Sequence, residues 1–389
     1  MNILFLSQRV PFPPNRGDKI TTWRLIERMA RDHRVRVVAF EHDEGDRDAA
    51  RELARRGFEI ATFRPKSKLA SLPGLLGRRP MTLNVFGSAA LQAQVDRWIA
   101  DTDLAYAYSS SMGAFFLRHD VPRVMHFAEL DSDKWRQYAE RTRFPMRWVY
   151  AREARTLRAF EVELAHAVDE NIFCTPLEEE IFQREIPGAP SSVLRNGVDL
   201  DAYRPAPEEA EPAHLVFVGV MNYYPNVDGC RWFCEEIFPR VRERAPQARF
   251  SIVGAHPTPE VQELGRMDGV EVTGFVDDPS DWLRRASISV APLRIARGIQ
   301  NKVLEALAMG LPVVGTTSAT QGVEGRPGRD FLLADSAEEQ AEAILGLIER
   351  PDEARALGDR GRAFVEERYD WEACLAPLDT LLSRIAARA

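Results

Sequence analysis

The sequence predicts an α/β chain built from two doubly wound domains in tandem, and three observations carry that reading. Short β-rich runs alternate with helical patterns through the first third of the chain. A second alternation of the same kind begins after a Pro- and Glu-rich run at 204–212. The length, 389 residues, is well beyond a single ordinary domain of about 100–150 residues.

In the first alternation, strands are expected at 2–7, 35–40 and 58–63, with helices near 20–31 and 47–56 between them. Strands separated by helices make a parallel sheet wrapped on both faces. More strands are expected at 104–108, 123–127 and 171–174, with a long helical tract from about 132 to 167 before the last. The run from Arg204 to Pro212 contains Pro205, Pro207 and Pro212 and can hold neither a helix nor a central strand, so it reads as the linker. Beyond it, strands at 214–219, 249–254, 270–273, 288–292 and 312–315 alternate with helices near 227–244 and 299–309. The final segment, 370–389, repeats Trp371, Leu375, Leu378, Leu382 and Ile385 at three- and four-residue steps, an amphipathic helix. The expected division is 1–200 and 201–369, with 370–389 closing the second domain or crossing back to the first. Ligands on such sheets bind outside the carboxyl ends of the strands, so two facing sheets would create a cleft.

Composition excludes several classes. With 45% hydrophobic and 28% charged residues, the chain has a globular balance and is no disordered linker. No apolar run approaches the roughly 18 residues that a membrane span needs, and Met1 leads straight into a strand with no leader pattern. Cys174, Cys230, Cys234 and Cys374 are scattered singles that form no disulfide framework. The expectation is therefore a cytoplasmic protein. Cys230 and Cys234 lie one helical turn apart, but no neighbouring His or Cys pair completes a zinc set, so no metal is expected.

The net charge of −8 is unevenly spread: residues 1–195 carry +3 and residues 196–389 carry −11. The acidic total disfavours a nucleic-acid partner. Two stretches are nevertheless basic. Residues 64–79 hold five cations and no acid, interleaved with Leu69, Leu72, Leu75 and Leu76. Residues 134–158 hold eight cations against two acids, with Trp135, Phe144, Trp148 and Tyr150 among them. Such stretches suit an anionic membrane surface or lipid carrier, or form a solvated basic face.

Three glycine-marked turns follow expected strands. The first, Asn15-Arg16-Gly17-Asp18-Lys19, opens the helix at Ile20. Backbone N–H groups at a helix start bind phosphate, and Lys19 adds a full charge. It matches neither a Gly-x-Gly-x-x-Gly fingerprint nor a P-loop. The second is Gly219-Val220-Met221-Asn222-Tyr223-Tyr224-Pro225-Asn226, where Gly219 permits close backbone approach and Pro225 suits a first helical turn; a plain structural turn explains it too. The third runs from Pro292 through Arg294 and Arg297 to Gly298-Ile299-Gln300-Asn301-Lys302 and on to Glu305. A helix start offering Gln300, Asn301 and Lys302 suits a diphosphate. Glu305 shares a helix face with Lys302 and can accept hydrogen bonds from ribose hydroxyls, or the two form a surface ion pair.

Gly298 to Val314, with Arg195-Asn196-Gly197-Val198-Asp199 and Gly274-Phe275-Val276-Asp277-Asp278, resembles the family-4 retaining glycosyltransferases of GT-B fold, in which two Rossmann-like doubly wound domains face a cleft. Gly298-Ile299-Gln300-Asn301-Lys302-Val303-Leu304-Glu305, with Asp131-Ser132-Asp133-Lys134-Trp135, is similar to the sugar transferases of PEP-CTERM/exosortase exopolysaccharide systems. The resemblance implies a nucleotide-sugar donor bound mainly to the second domain, a glycan or polyprenyl-linked acceptor bound mainly to the first, retention at the anomeric carbon, and neither cofactor nor essential metal. It places Glu305 on the ribose and the backbone around Phe275 and Val276 on the base. Gly17 matches a glycine loop that approaches the donor phosphates. His126 and Asp131 match a position beside the reacting sugar, though an apolar-flanked histidine is also an ordinary core residue. The chain departs from the family at Arg297, where a glutamate is usual, and at Val220, where an arginine is common. Diphosphate charge then falls more heavily on Lys302, with Arg294 or Arg297. A nucleotide-sugar epimerase of the same architecture and a catalytically silent sugar-nucleotide-binding protein are the alternatives.

Overall fold

The computed structural model describes residues 1–67, 77 and 79–387. The chain forms two compact units, Met1–Arg195 with Leu375–Ala389, and Asn196–Cys374.

The first unit runs β1 (Asn2–Ser7), α1 (Gly17–Met29), β2 (Arg34–Phe40), α2 (Glu44–Arg55), β3 (Glu59–Phe63), α3 (Met81–Val85), α4 (Ala89–Trp98), β4 (Leu104–Tyr108), α5 (Ser110–Gly113), β5 (Arg123–Ala128), α6 (Asp131–Arg141), α7 (Met146–Ala167), β6 (Glu170–Phe173), α8 (Pro176–Glu185) and β7 (Ser191–Val193). Its seven strands are parallel in the order β3-β2-β1-β4-β5-β6-β7. β1 is central because Ile3, Leu4, Phe5 and Leu6 are apolar toward both faces and wholly buried, as a strand covered by helices on both sides requires. The order reverses between β1 and β4, the switch point at which such sheets open a crevice at their carboxyl edge.

The helical tract expected over 132–167 is two helices. Pro145 has no N–H to donate and disfavours helical backbone at Phe144, so α6 stops at Arg141 and α7 begins at Met146. The aromatic rings of Trp135, Tyr138 and Tyr150 pack together between the two helices. At the connection, Phe144 is 84% exposed and Trp148 54%, with Met146, Arg143 and Arg147 also exposed. Of the other basic stretch, Lys68, Leu69, Leu72, Leu75, Leu76 and Arg78 lie outside the described residues.

The second unit runs β8 (His214–Val218), α9 (Tyr224–Trp232), a π-helical turn (Phe233–Ile237), α10 (Phe238–Arg244), β9 (Arg249–Val253), α11 (Pro259–Leu264), β10 (Val270–Gly274), α12 (Pro279–Arg285), β11 (Ile288–Ala291), α13 (Asn301–Ala308), β12 (Val313–Gly315), α14 (Thr317–Thr320), β13 (Leu332–Leu333), α15 (Ala337–Glu349) and α16 (Pro351–Arg368). The six strands are parallel in the order β10-β9-β8-β11-β12-β13. Leu215, Val216, Phe217, Phe250, Ile252, Val313 and Val314 form the middle of its core. α17 (Trp371–Ala386) starts in this unit, while residues 375–386 belong to the first. There Arg28 pairs with Asp379 and Arg384 with Glu170.

Candidate nucleotide-sugar site

The carboxyl edge of the second sheet gathers the residues of the second and third turns. β8 ends into Gly219 and β9 into Gly254, whose φ of +146° suits glycine alone. A Cβ at Gly254 would lie 1.7 Å from the Gly219 carbonyl oxygen, so the two loops touch backbone to backbone. β11 ends before Pro292, and Gly298, at φ +60°, turns the chain into α13. That left-handed turn is why α13 starts at Asn301 rather than Ile299. No side chain caps the start of α13, so its first amide groups have no side-chain acceptor.

Lys302 stands in the first turn of α13, and its ammonium donates to Asn226 Oδ1 at 2.7 Å. Asn226 is buried in α9 and is itself fixed, because its Nδ2 donates to the Val220 carbonyl at 2.9 Å. The ammonium also lies 4.7 Å from the centre of the Phe217 ring. A Cβ at Gly219 would lie 2.7 Å from Asn226 Nδ2 and 3.4 Å from Lys302 Nζ. Glycine at 219 is therefore what leaves space beside the ammonium. Burial pulls the Lys302 ammonium down to about 8, against the upward pull of Glu305.

Glu305 does not form the surface ion pair with Lys302; its carboxylate accepts a hydrogen bond from Tyr203. Burial raises it to about 7, opposed by the Lys302 charge and the Tyr203 hydrogen bond. Tyr203 is anchored in turn by its carbonyl, which accepts from Arg362 at 2.6 Å. Asn226 ends the second glycine-marked turn, but its bond to Lys302, 76 residues away, was not legible there, and no motif marks Tyr203.

The remaining expected residues divide. Phe275 follows β10 and is 72% exposed, and Val276 packs half-buried on the core beside it. Asn222 is exposed in the turn after Gly219, next to exposed Tyr223 and Tyr224. Gln300 turns its amide back to the Arg297 carbonyl at 2.9 Å. Ile299 packs against the core and Gly298 is buried. The Arg294 guanidinium makes a two-pronged pair with buried Asp228, at 3.0 and 2.6 Å.

Two expected residues of the first unit are buried and have partners within it. Lys19 has an acidic partner of its own. It is buried and ion-paired with buried Asp46 at 2.6 Å, in the first turn of α1, while Gly17 and Asp18 stay nearer the surface and Asp18 pairs with Arg16. His126 is wholly buried in β5, shares a 2.7 Å hydrogen bond with the Tyr106 hydroxyl and lies against the Tyr108 ring, while its Nε2 has no hydrogen-bond partner among the described residues. Burial alone holds it near 3, so it is neutral. Asp131 opens α6 at the carboxyl edge of the first sheet, where it accepts from Ser110 at 3.0 Å and pairs with Lys134 at 2.6 Å.

Residues 212–350 match the group 1 glycosyl transferases. The GDP-mannose-dependent α-(1-6)-phosphatidylinositol monomannoside mannosyltransferase of Mycobacterium tuberculosis is 28% identical over 226 residues, 52% of this chain and 58% of that protein. This chain spans between about a third and three-fifths of the length of the curated relatives it matches. The sucrose-phosphate synthase of Thermosynechococcus elongatus superposes over the whole of both chains, with a TM-score of 0.76 and 18% identity. Anabaena HepE in complex with UDP-glucose superposes with a TM-score of 0.71 and 18% identity, covering 99% of this chain and all of that one. The fold is GT-B, two parallel sheets of Rossmann-like type.

Proposed function

We propose that this chain, whose second unit carries a group 1 glycosyl transferase domain, moves a sugar from a nucleoside-diphosphate sugar to a glycan or polyprenyl-linked acceptor. The observation that carries the reading is the Lys302 ammonium, held by Asn226 beside Gly219 at an uncapped helix start. A diphosphate laid there would meet one full positive charge, the first amides of α13 and a glycine that admits its oxygens.

The reaction is displacement of the diphosphate from the anomeric carbon. Negative charge grows on the leaving phosphate as the sugar becomes oxocarbenium-like, and fixed positive groups aimed at that charge lower the barrier. Lys302 takes this role, and Glu305 receives the ribose hydroxyls. The exposed Phe275 offers a face on which a base can stack. In this reading neither metal nor cofactor is needed, the configuration is retained, the leaving phosphate helps remove the acceptor's proton, and the product feeds an exopolysaccharide. The enzyme works in the cytoplasm, against the anionic inner face of the membrane, through the Phe144–Trp148 connection of α6 and α7.

The test is a thermal-shift series with UDP, GDP and their sugars, followed by incubation of the stabilising donor with and without lipid extract. A nucleoside diphosphate that raises the melting temperature, with sugar appearing on lipid only when extract is present, is the expected result. Conversion of donor to an isomeric nucleotide sugar without extract identifies an epimerase instead. Binding without any turnover identifies a silent nucleotide-sugar protein.

A further inference from the structure

The first unit holds a cavity of about 270 Å³ that the donor chemistry does not use. Its walls come from the segment after β3, the α3–α4 connection and the start of α5, so it lies near the carboxyl edge of the sheet. Leu83, Phe86 and Phe115 give it an apolar side, and Lys66, Arg79 and Ser111 a polar one. No carboxylate lines it among the described residues.

Its two cations differ from most of their neighbours. Arg47 and Arg64 both pair with Glu41, whereas neither Lys66 nor Arg79 has an ion-pair partner among the described residues. Their backbones are nonetheless fixed. The Lys66 N–H donates to the Val85 carbonyl at 2.9 Å, and the Arg79 carbonyl accepts from Arg152 at 3.2 Å. Arg152 is buried beside buried Glu153, whose carboxylate accepts from the Met81 and Thr82 N–H groups. Burying such charges is costly, and here the result is a rigid frame that presents Arg79. Ser111, 1% exposed, accepts from Gln8 Nε2 at 2.6 Å, and its own hydroxyl proton has no acceptor among the described residues. A buried donor left in that state is favourable only with a partner.

Two solvent-exposed cations, Lys66 and Arg79, border the same opening as the buried Ser111 hydroxyl, and together they suit an anion with several acceptor oxygens. We infer that this cavity binds a phosphate group esterified to the acceptor, with the apolar wall receiving the group attached to it. The void is smaller than the roughly 300–1,000 Å³ of a pocket for a whole ligand, which fits a headgroup subsite. The inference rests on the transferase reading for the word acceptor, and on the cavity alone for the phosphate.

The experiment is calorimetric titration of the full chain with farnesyl phosphate, farnesol and inorganic phosphate, each below its aggregation limit. It is repeated on K66Q/R79Q and S111A. Farnesyl phosphate is expected to bind saturably and at least tenfold more tightly than farnesol or inorganic phosphate. The double variant should lose at least tenfold of that affinity and S111A about threefold, with nucleoside-diphosphate binding unchanged as proof of folding. Equal binding of phosphate ester and alcohol, or a double variant indistinguishable from the parent, overturns the site. Inorganic phosphate binding as tightly as the ester makes it a free-anion site and overturns the acceptor assignment. Loss of nucleotide binding in the parent would instead sink the transferase reading and leave the cavity result standing.

Discussion

Lys302 and Asn226 stand 76 residues apart in the chain and share a 2.7 Å hydrogen bond at the carboxyl edge of the second sheet. The bond orients the ammonium, and Asn226 cannot swing away because its other end is tied to Val220. Replacing Lys302 by alanine removes the charge and its contacts to Asn226 and the Phe217 ring, and leaves the apolar packing of Val303, Leu304 and Leu307 in α13 in place. Turnover is expected to fall at least tenfold with the melting temperature of the unliganded protein held within a few degrees. Transfer assays beside a melt would check this, and undiminished turnover would remove Lys302 from the mechanism.

The same burial gives donor affinity a pH profile. Lys302 in the empty site loses its proton near 8, below its ordinary value. A diphosphate favours the ammonium and lifts that value in the complex, so binding takes up a proton above pH 8 and affinity falls as pH rises, by up to about tenfold per pH unit. Glu305 gains its proton near 7, and a neutral acid accepts ribose hydroxyls less well, so affinity also falls below pH 7. Titrations of the nucleoside diphosphate from pH 5.5 to 9.5 should therefore give a narrow maximum. Lys302→Met should flatten the alkaline limb and Glu305→Gln the acidic one.

Gly219 is the steric counterpart of that arrangement. An added methyl lands 2.7 Å from an amide that is already bonded, so either Asn226 or the β8 loop must shift, and Lys302 loses its anchor. Overpacking of this kind costs about 1–3 kcal/mol. Gly219→Ala should thus lower both stability and nucleotide affinity, while Gly328→Ala, whose added Cβ meets nothing within 4 Å, should lower stability through its φ of +78° and leave nucleotide affinity alone.

Glu161 ties pH to the stability of the first unit. It is wholly buried in α7 and accepts from both the N–H and the hydroxyl of Ser132, next to Asp131 at the start of α6. Burial, with Asp131 adding to it, raises the carboxyl to about 8. A raised value means that folding favours the protonated acid. The stabilisation is complete below the ordinary glutamate value near 4.5 and is lost as pH climbs toward 8, by roughly 1.4 kcal/mol for each unit crossed. Glu161→Gln has no proton to lose, so its denaturation midpoint should vary less than the parent's between pH 5 and 8. Parallel slopes would show that Glu161 stays ionised.

Much of this was legible in the sequence because local pattern decides it. β1 and β4 fall on the expected 2–7 and 104–108, since apolar runs bounded by polar residues leave little choice of strand. The glycine loop before Lys302 was legible because only its chemistry suits a helix start after a strand. Partnership was not. Asp228 matching Arg294, Asp46 matching Lys19 and Tyr106 holding His126 are contacts between elements far apart in the chain, and one-dimensional spacing carries no record of them. The α6–α7 break was written in Pro145 and was outweighed by the helical composition around it.

That break sets up the last prediction. No helix among the described residues is long and apolar enough to cross a membrane, and the attachment predicted is at the surface, through this connection. The connection places Phe144, Met146 and Trp148 in solvent within five residues, and between Glu140 and Glu153 the sequence has no acid but carries Arg141, Arg143, Arg147 and Arg152. Exposed aromatic rings favour the headgroup layer, and each cation near an anionic surface adds about 1 kcal/mol, a term that salt screens. Liposome flotation should show retention that grows with the fraction of anionic lipid and falls between 50 and 500 mM salt. A Phe144→Ser, Trp148→Ser double variant should lose retention even at low salt, because charge alone does not insert. Arg143→Gln with Arg147→Gln should weaken retention on anionic vesicles and leave the weak residual on neutral ones unchanged. Equal flotation of the parent on neutral and anionic vesicles would show that the arginines of this connection serve as a solvated face only.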